Sequence, residues 1–270
     1  MTLEKYRSVI PESVIDNYIR EIENARAWNE WITIVETYNS LDDAFSSRAG
    51  MDDHRFNAFL WAFDVRNLCS QIGYSYCWMK AYADHYKTEV SEGDMPWHTD
   101  FHVSYYADNC ITRIDSSRDK TALMVWAYYC AFDPEKPVLV YEDVTERLRS
   151  PKNFGLVLEE PESFLKCLKL LSNEEFKTIE DYRHLKIHRR EPRYEMYGVK
   201  PHHDWPYLFP LANQPGSDVR YEPRRSDVHL ADYKKLEEAI RNSLLKILES
   251  ASGCFRILSH REPFRKKPSR

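Results

Sequence analysis

The segment from Arg55 to Val90 reads RFNAFLWAFDVRNLCSQIGYSYCWMKAYADHYKTEV and is the strongest structural signal in the chain. Its large apolar residues recur at intervals of three and four positions, which is the spacing of one buried face of an α-helix. The pattern predicts a long helix, and Gly73 predicts a kink or a close contact between helices. The apolar positions are Phe59, Leu60, Phe63, Val65, Leu68, Ile72, Tyr76, Trp78, Met79, Tyr82 and Tyr86.

The same periodicity continues on both sides of this segment and predicts an all-α, multi-helix bundle. Ser116 or Ser117 is the predicted N-cap of the most apolar helix. We expect a single helical domain, in which N-terminal helices within 1–95 pack on a bundle formed by 97–252, while 253–270 forms a basic tail. Further helices are predicted at about 12–24, 28–39, 97–114, 120–132, 142–149, 161–171, 174–190 and 230–250, with a long irregular segment at 193–228.

Composition and charge exclude several classes of protein. The net charge of −5 argues against a general polyanion-binding protein, so any contact with nucleic acid requires a local basic patch. The 7 glycines are scattered, which argues against Gly-rich phosphate loops. The six cysteines lack metal or redox spacing and are expected to be free thiols in a reducing cytosol. With no signal segment, and with the longest apolar run, Ala122–Phe132, too short for a bilayer, a cytoplasmic protein is predicted.

Two histidines, His98 and His102, lie four residues apart and would share one face of a helix. Such a pair can bind a metal ion. However, no glutamate follows the first histidine as it does in H-E-x-x-H, and no third ligand is identifiable nearby. We therefore favour satisfied polar side chains over a metal-dependent hydrolase site here, and no metal or other cofactor is predicted.

The stretch Arg183–Arg190, RHLKIHRR, concentrates two histidines and four basic side chains in an acidic chain. It ends a predicted amphipathic helix whose N-terminus is capped by Ser172 or Asn173, in what resembles a capping box with Glu175. Pro192 ends that helix. The buried stripe is predicted to comprise Phe176, Ile179 and Tyr182, together with Leu185 or Ile187.

An arginine followed after four or five residues by a histidine occurs three times, at Arg48…His54, Arg183…His188 and Arg224…His229. The spacing alone is therefore not selective. Of the three, Arg183 is the one followed directly by a histidine, and its pair is the one at the end of an amphipathic helix. Basic residues are also common at helix C-termini because the helix dipole favours them, so a solvated basic helix end is the simplest alternative.

This motif resembles the signature of the HEPN superfamily, which consists of α-helical bundles found in many prokaryotic defence and toxin systems. The resemblance covers roughly 97–250 and includes Asp119-Lys120 heading an apolar helix, two amphipathic helices and a closing helix. The first ninety-odd residues match only as additional helices. The long segment at 193–228 departs from the compact members of the family.

The resemblance implies a metal-independent endoribonuclease or ribonuclease toxin, in which the RNA 2′-OH attacks its own phosphodiester. Arg183 and His188 would be catalytic and His184 would assist them, with the site shared across a homodimer. A catalytically inactive member would instead bind protein or RNA as an assembly module, and an antitoxin or other partner protein is possible in either case. The residues expected to contact RNA phosphates are Lys186, Arg189, Arg190 and Arg193.

Helix geometry bears on how such a site is built. Five positions at about 100° each separate Arg183 from His188 by roughly 140° around an unbroken helix. The two side chains would then not share a face, whereas His184 and His188 would. Either the helix breaks between Arg183 and His188, or the partner residue comes from a second subunit.

Overall fold

The computed structural model of the chain describes residues 10–39, 53–92, 97–129, 140–154, 158, 160–188, 193–195 and 230–260. Within these ranges the structure is a helical bundle, which confirms the predicted all-α class. Two 3-10 helices, Pro151–Phe154 and Lys169–Leu171, and one pair of short strands complete it. The helices are α1 (Glu12–Glu23), α2 (Arg26–Asn39), α3 (Asp53–Glu92), α4 (Trp97–Tyr129), α5 (Tyr141–Arg149), α6 (Pro161–Leu168), α7 (Glu174–His188) and α8 (Tyr233–His260).

The two longest helices, α3 and α4, pack along each other and form the centre of the bundle. Near one end of the pair the ring of Tyr82 stacks on that of His102, and near the other end Lys120 Nζ lies 2.5 Å from Asp64. The residue number decreases along α3, from Tyr82 to Asp64, as it increases along α4, from His102 to Lys120. The two helices therefore run antiparallel. The predicted helix around Arg55–Val90 is therefore the first arm of a long helical hairpin.

Gly73 marks a close contact between helices, which is one of its two predicted roles. α3 continues without interruption on both sides of Gly73. A Cβ atom added at this position would lie 3.5 Å from Cζ3 of Trp28 on α2 and 3.8 Å from Cγ2 of Ile22 on α1. The indole of Trp28 thus packs against α3 at Gly73, at a distance that would leave an added Cβ in ordinary van der Waals contact.

The prediction of two helices within 97–132 was wrong, because α4 is one helix from Trp97 to Tyr129. The Ser116 hydroxyl donates to the carbonyl of Thr112, and that of Thr121 donates to the carbonyl of Ser117. Hydroxyl groups that bond to the preceding turn are compatible with a helix interior. The polar run from Asp115 to Lys120 therefore lies in the middle of a helix instead of capping one.

The closing helix α8 packs against α2, α3, α4, α6 and α7, and so holds both halves of the chain together. It runs to His260, past the predicted boundary at 252, because Cys254, Phe255 and Leu258 are buried. Its start was also predicted wrongly, since residues 230–232 form a strand. Its buried face includes Tyr233, Leu236, Ile240, Leu244 and Ile247.

The β-structure of the described residues is one parallel pair, β1 (Arg193–Glu195) and β2 (Leu230–Asp232). The register pairs Arg193 with Leu230 and Glu195 with Asp232. This pair brings the chain that follows α7 beside the chain that enters α8. The predicted irregular segment thus begins with a strand.

A hydrophobic core with members from Ile10 to Leu258 connects the helices. None of the helices in the described ranges combines the length and the apolar character needed to cross a membrane. The predicted division into 1–95, 97–252 and 253–270 stays a prediction. Most of the predicted irregular segment at 193–228, and residues 261–270 of the predicted tail, lie outside the described residues.

Candidate functional site

The helix that carries the RHLKIHRR stretch, α7, is fixed at its N-terminus by Asn173. The Asn173 side-chain oxygen accepts a hydrogen bond of 3.3 Å from the backbone N–H of Phe176. Ser172 does not take this role, because its hydroxyl donates to the carbonyl of Lys169. The predicted capping box is absent, since the Glu175 carboxylate accepts two bonds of 2.9 Å from Lys246 on α8. Phe176, Ile179 and Tyr182 are buried as predicted.

Arg183 lies at the accessible edge of the side of α7 that faces α4, and it is ion-paired with Asp115 of α4. The Arg183 side chain is 48% exposed and that of Asp115 is 23% exposed. One guanidinium nitrogen, Nη1, makes this contact. Because a guanidinium has five N–H donors, Arg183 can hold Asp115 and still present donors to a ligand.

One turn earlier on α7, Glu180 is ion-paired with Arg118 of α4. Arg118 is almost completely buried and also pairs with Glu142 of α5. Its guanidinium carbon lies 4.5 Å from the centre of the Tyr141 ring. A single cation thus connects α4, α5 and α7 directly beside the pair of Arg183 and Asp115.

The contact between α4 and α7 is a matched pattern of charge. On α4 an acid, Asp115, precedes a base, Arg118, by three residues, and on α7 Glu180 precedes Arg183 by three. Residues three apart lie on the same side of a helix. Antiparallel packing therefore sets each acid opposite a base, and this fixes the relative position of the two helices.

Asp119 is a second acid on α4 beside this contact. Its carboxylate accepts a 2.8 Å hydrogen bond from the backbone N–H of Tyr141, the first residue of α5. Burial raises the pKa of Asp119, although the hydrogen bond from Tyr141 acts in the opposite direction. Asp119 therefore caps α5 from a distant part of the chain, a role quite different from heading an apolar helix.

Asp115, Arg118, Glu142 and Glu180 were not among the residues selected from the sequence. A signal for Arg118 is nevertheless present. The buried stripe of α4 includes Ile114, Ala122 and Val125, and Arg118 lies four residues from the first two of these. A charge on a buried stripe requires partners of opposite charge, and carboxylates from other helices are the natural ones.

The remaining predicted site residues are described only in part. His184, Lys186 and His188 lie in the last turns of α7, but their side chains are outside the described residues, as are Arg189 and Arg190. Arg193 opens β1 and its side chain is likewise not described. What the backbone shows is that α7 continues unbroken to His188. The alternative that the helix breaks between Arg183 and His188 is thereby removed.

His102, one of the two histidines of the predicted metal-binding alternative, lies in an aromatic cluster. The His102 ring stacks on Tyr82, with the ring centres 4.4 Å apart and the planes 12° apart, and Tyr106 stacks beside both. The side chain of His98 is outside the described residues. Among the side chains that are described, no three His, Cys, Asp or Glu residues are grouped so that they could hold a metal ion.

Comparison with protein-family models, with curated proteins and with solved structures finds no match to this chain. The resemblance to the HEPN superfamily accordingly remains an expectation from the motif and the helical layout.

Proposed function

We propose that the protein is a metal-independent endoribonuclease of the HEPN type, with a site shared between two copies of the chain. Arg183 and His188 are the catalytic residues and His184 assists them. The basic residues around them, Lys186, Arg189, Arg190 and Arg193, bind RNA phosphates.

The proposal rests on the exposure and the ion pairing of Arg183. It is an exposed arginine on an unbroken helix, ion-paired with Asp115, with a histidine next to it and another five residues on. A guanidinium can bind two phosphate oxygens and neutralise the charge that develops on phosphorus. A histidine titrates near neutral pH and can remove the 2′-OH proton or protonate the leaving 5′-oxygen.

The unbroken helix supports the involvement of a second copy. On a helix that continues to His188, Arg183 and His188 are about 140° apart, so one phosphate does not contact both from a single chain. Two helix ends related by a two-fold axis bring Arg183 of one copy to face His188 of the other. A homodimer is therefore part of the proposal.

The test is cleavage of single-stranded RNA by the purified protein in excess EDTA. We expect cleavage products with 2′,3′-cyclic phosphate ends, which follow from 2′-OH attack. Arg183→Ala and His188→Ala should each lower the rate by at least about a hundredfold, because each removes a group that acts in the transition state. Cleavage at an equal rate by the wild type and both variants would show a contaminating nuclease.

Asp115→Asn is the matched control for Arg183→Ala. Both substitutions break the same ion pair, but the asparagine variant leaves the guanidinium in place. Since both side chains of the pair are partly exposed to solvent, both substitutions should change the free energy of unfolding by less than about 1 kcal/mol. Cleavage retained in Asp115→Asn but lost in Arg183→Ala separates the role of the guanidinium in chemistry from its role in helix packing.

A second candidate is a non-enzymatic binding or assembly module, and the aromatic surface of the hairpin favours it. Tyr74 of α3 and Tyr105 of α4 are more than half exposed. Between them the Trp78 and Tyr106 rings stack with centres 5.8 Å apart. If no RNA is cleaved, loss of self-association on Tyr74→Glu and Tyr105→Glu, measured by light scattering, would support this candidate.

A further inference from the structure

Two cysteines far apart in sequence lie together where α6 packs on α8. Cys167 is near the end of α6 and Cys254 is in the last turns of α8, and their thiols are hydrogen-bonded to each other. The packing is close, because Cys167 Sγ lies only 2.8 Å from where a Cβ atom of Gly253 would be. The residue before Cys254 is thus a glycine at the position where the Cys167 sulfur needs room.

The two sulfurs differ in access to solvent. Cys167 is half-buried, whereas Cys254 is completely buried behind it. The hydrogen bond from Cys254, with a further contribution from Lys166, lowers the pKa of the Cys167 thiol to about 7. Burial raises the pKa of Cys254. One sulfur is therefore available as a thiolate, and its neighbour keeps its proton.

The other described cysteines do not combine partial exposure with a lowered pKa. Cys69, Cys77 and Cys110 are buried, and burial raises the pKa of each thiol. Cys110 is further held by a contact of 3.6 Å from its sulfur to the carbonyl oxygen of Ile72. These three are the inert, core-filling thiols that a buried cysteine usually represents.

We propose that Cys167 and Cys254 are a site of oxidative modification, where hydrogen peroxide converts the two thiols into a disulfide between α6 and α8. Cys167 is the residue attacked first and Cys254 is the resolving residue. The site is independent of Arg183 and of the proposed ribonuclease.

The reaction balances with peroxide as the oxidant. The Cys167 thiolate attacks one peroxide oxygen, the O–O bond breaks, hydroxide leaves and Cys167 becomes a sulfenic acid. The sulfur of Cys254 then attacks the sulfur of Cys167, the S–O bond breaks, and the hydroxyl leaves with the Cys254 proton as water. Two electrons pass from the two thiols to peroxide, and a thiol reductant reverses the change.

The experiment uses the full chain with Cys130→Ser, which removes the one cysteine outside the described residues. The protein is treated with increasing hydrogen peroxide, its remaining thiols are alkylated under denaturing conditions, and its peptides are mapped by mass spectrometry. We expect a Cys167–Cys254 disulfide, with Cys69, Cys77 and Cys110 alkylated. Alkylation of both Cys167 and Cys254 at peroxide levels that oxidise glutathione would overturn the proposal.

The order of the steps is tested with Cys254→Ser, in which a sulfenic acid on Cys167 persists and reacts with dimedone. Labelling of Cys167 should exceed that of Cys69 at least about tenfold, because only a thiolate reacts readily. In the parallel variant Cys167→Ser, which changes a half-buried position, Cys254 should stay reduced. Oxidation of Cys254 in that variant contradicts the assigned order, and Cys69→Ser is the control in which the disulfide must still form.

Discussion

The buried guanidinium of Arg118 on α4 is ion-paired with the carboxylate of Glu180 on α7, while Glu142 of α5 pairs with the same guanidinium. Both carboxylates are more than half exposed, but Arg118 is not. The charge that must be compensated is therefore that of the arginine. Either acid can provide the compensation, and this redundancy has consequences that can be measured.

Glu142→Gln and Glu180→Gln should each lower the free energy of unfolding only slightly, because the other carboxylate still pairs with Arg118. The double variant should cost more than the sum of the two, by about 1–2 kcal/mol, since it leaves a buried cation without an ionised partner. Urea unfolding of the four proteins completes a double-mutant cycle. If the costs of the two single variants simply add, Arg118 is not compensated by these two acids. Arg20→Ala, which removes an exposed charge elsewhere, is the control and should change the free energy of unfolding little.

Asp119 should stabilise the folded state as the hydrogen-bond acceptor of Tyr141, whereas its buried negative charge should destabilise it. Burial raises its pKa above the ordinary value of 3.8, so the folded state favours the protonated form. Stability from this group is therefore fully present below pH 3.8 and is lost as pH rises through the raised pKa.

Asp119→Asn keeps an oxygen for the N–H of Tyr141 and removes the buried charge, so it should stabilise the protein at pH 7. That gain should shrink as the pH is lowered and Asp119 becomes neutral. Asp119→Ala should instead cost about 1 kcal/mol at every pH, because the acceptor is lost. Thermal unfolding between pH 3 and pH 7 would measure both, and destabilisation by asparagine at pH 7 would contradict the first expectation.

The ion pair between Glu175 of α7 and Lys246 of α8 should have the opposite dependence on pH. The bond from Lys246 lowers the pKa of Glu175 below its ordinary value of 4.5. Its contribution is present above pH 4.5 and is lost as pH falls through the lowered pKa. Glu175→Gln should therefore cost about 0.5–1 kcal/mol at pH 7 and nearly nothing at about pH 2–3. Lys246→Met should have a similar profile, and a cost that is unchanged at low pH would rule out an ionic origin.

The two helical glycines with described surroundings, Gly73 and Gly253, should respond differently to alanine. At Gly73 the added Cβ meets Trp28 at 3.5 Å, an ordinary contact distance, so alanine should stabilise the helix by up to about 1 kcal/mol. At Gly253 it meets Cys167 Sγ at 2.8 Å, so alanine should destabilise the protein by about 1 kcal/mol.

Adding Cys167→Ala to Gly253→Ala tests the cause. Removal of the sulfur leaves room for the new methyl group, so the double variant should be more stable than Gly253→Ala alone. If it is less stable than either single variant, the close approach of the sulfur is not what Gly253 accommodates. Chemical denaturation suffices for all four proteins.

The sequence identified the helices whose apolar periodicity is long and regular, and it failed where polar residues act locally. The stripe through Ile72, Tyr76 and Tyr82 is buried in α3 as predicted. Ser116 and Ser117 resemble a helix start, but in α4 a serine hydroxyl bonds to the preceding turn and the helix continues. Which of these two outcomes occurs depends on the packing of α3 against α4, which no local pattern contains.

The sequence singles out Arg183 but does not reveal which residues it contacts. Arg183 stood out because of its neighbours in sequence. Asp115, by contrast, is a distant residue, and it meets Arg183 because two rows of alternating charge align when α4 and α7 pack antiparallel. Such a match is a property of two helices together, so it could not be recognised from either segment alone.

The parallel direction of β1 and β2 constrains how the chain between them can be altered. The register sets Arg193 beside Leu230 and Glu195 beside Asp232, so the two strands run in the same direction. A hairpin turn joins only antiparallel strands, whereas a parallel pair requires a crossover of about a dozen residues or more. Replacing residues 196–229 with a tight turn would therefore abolish the pairing of β1 with β2, which holds the chain that follows α7 beside the start of α8.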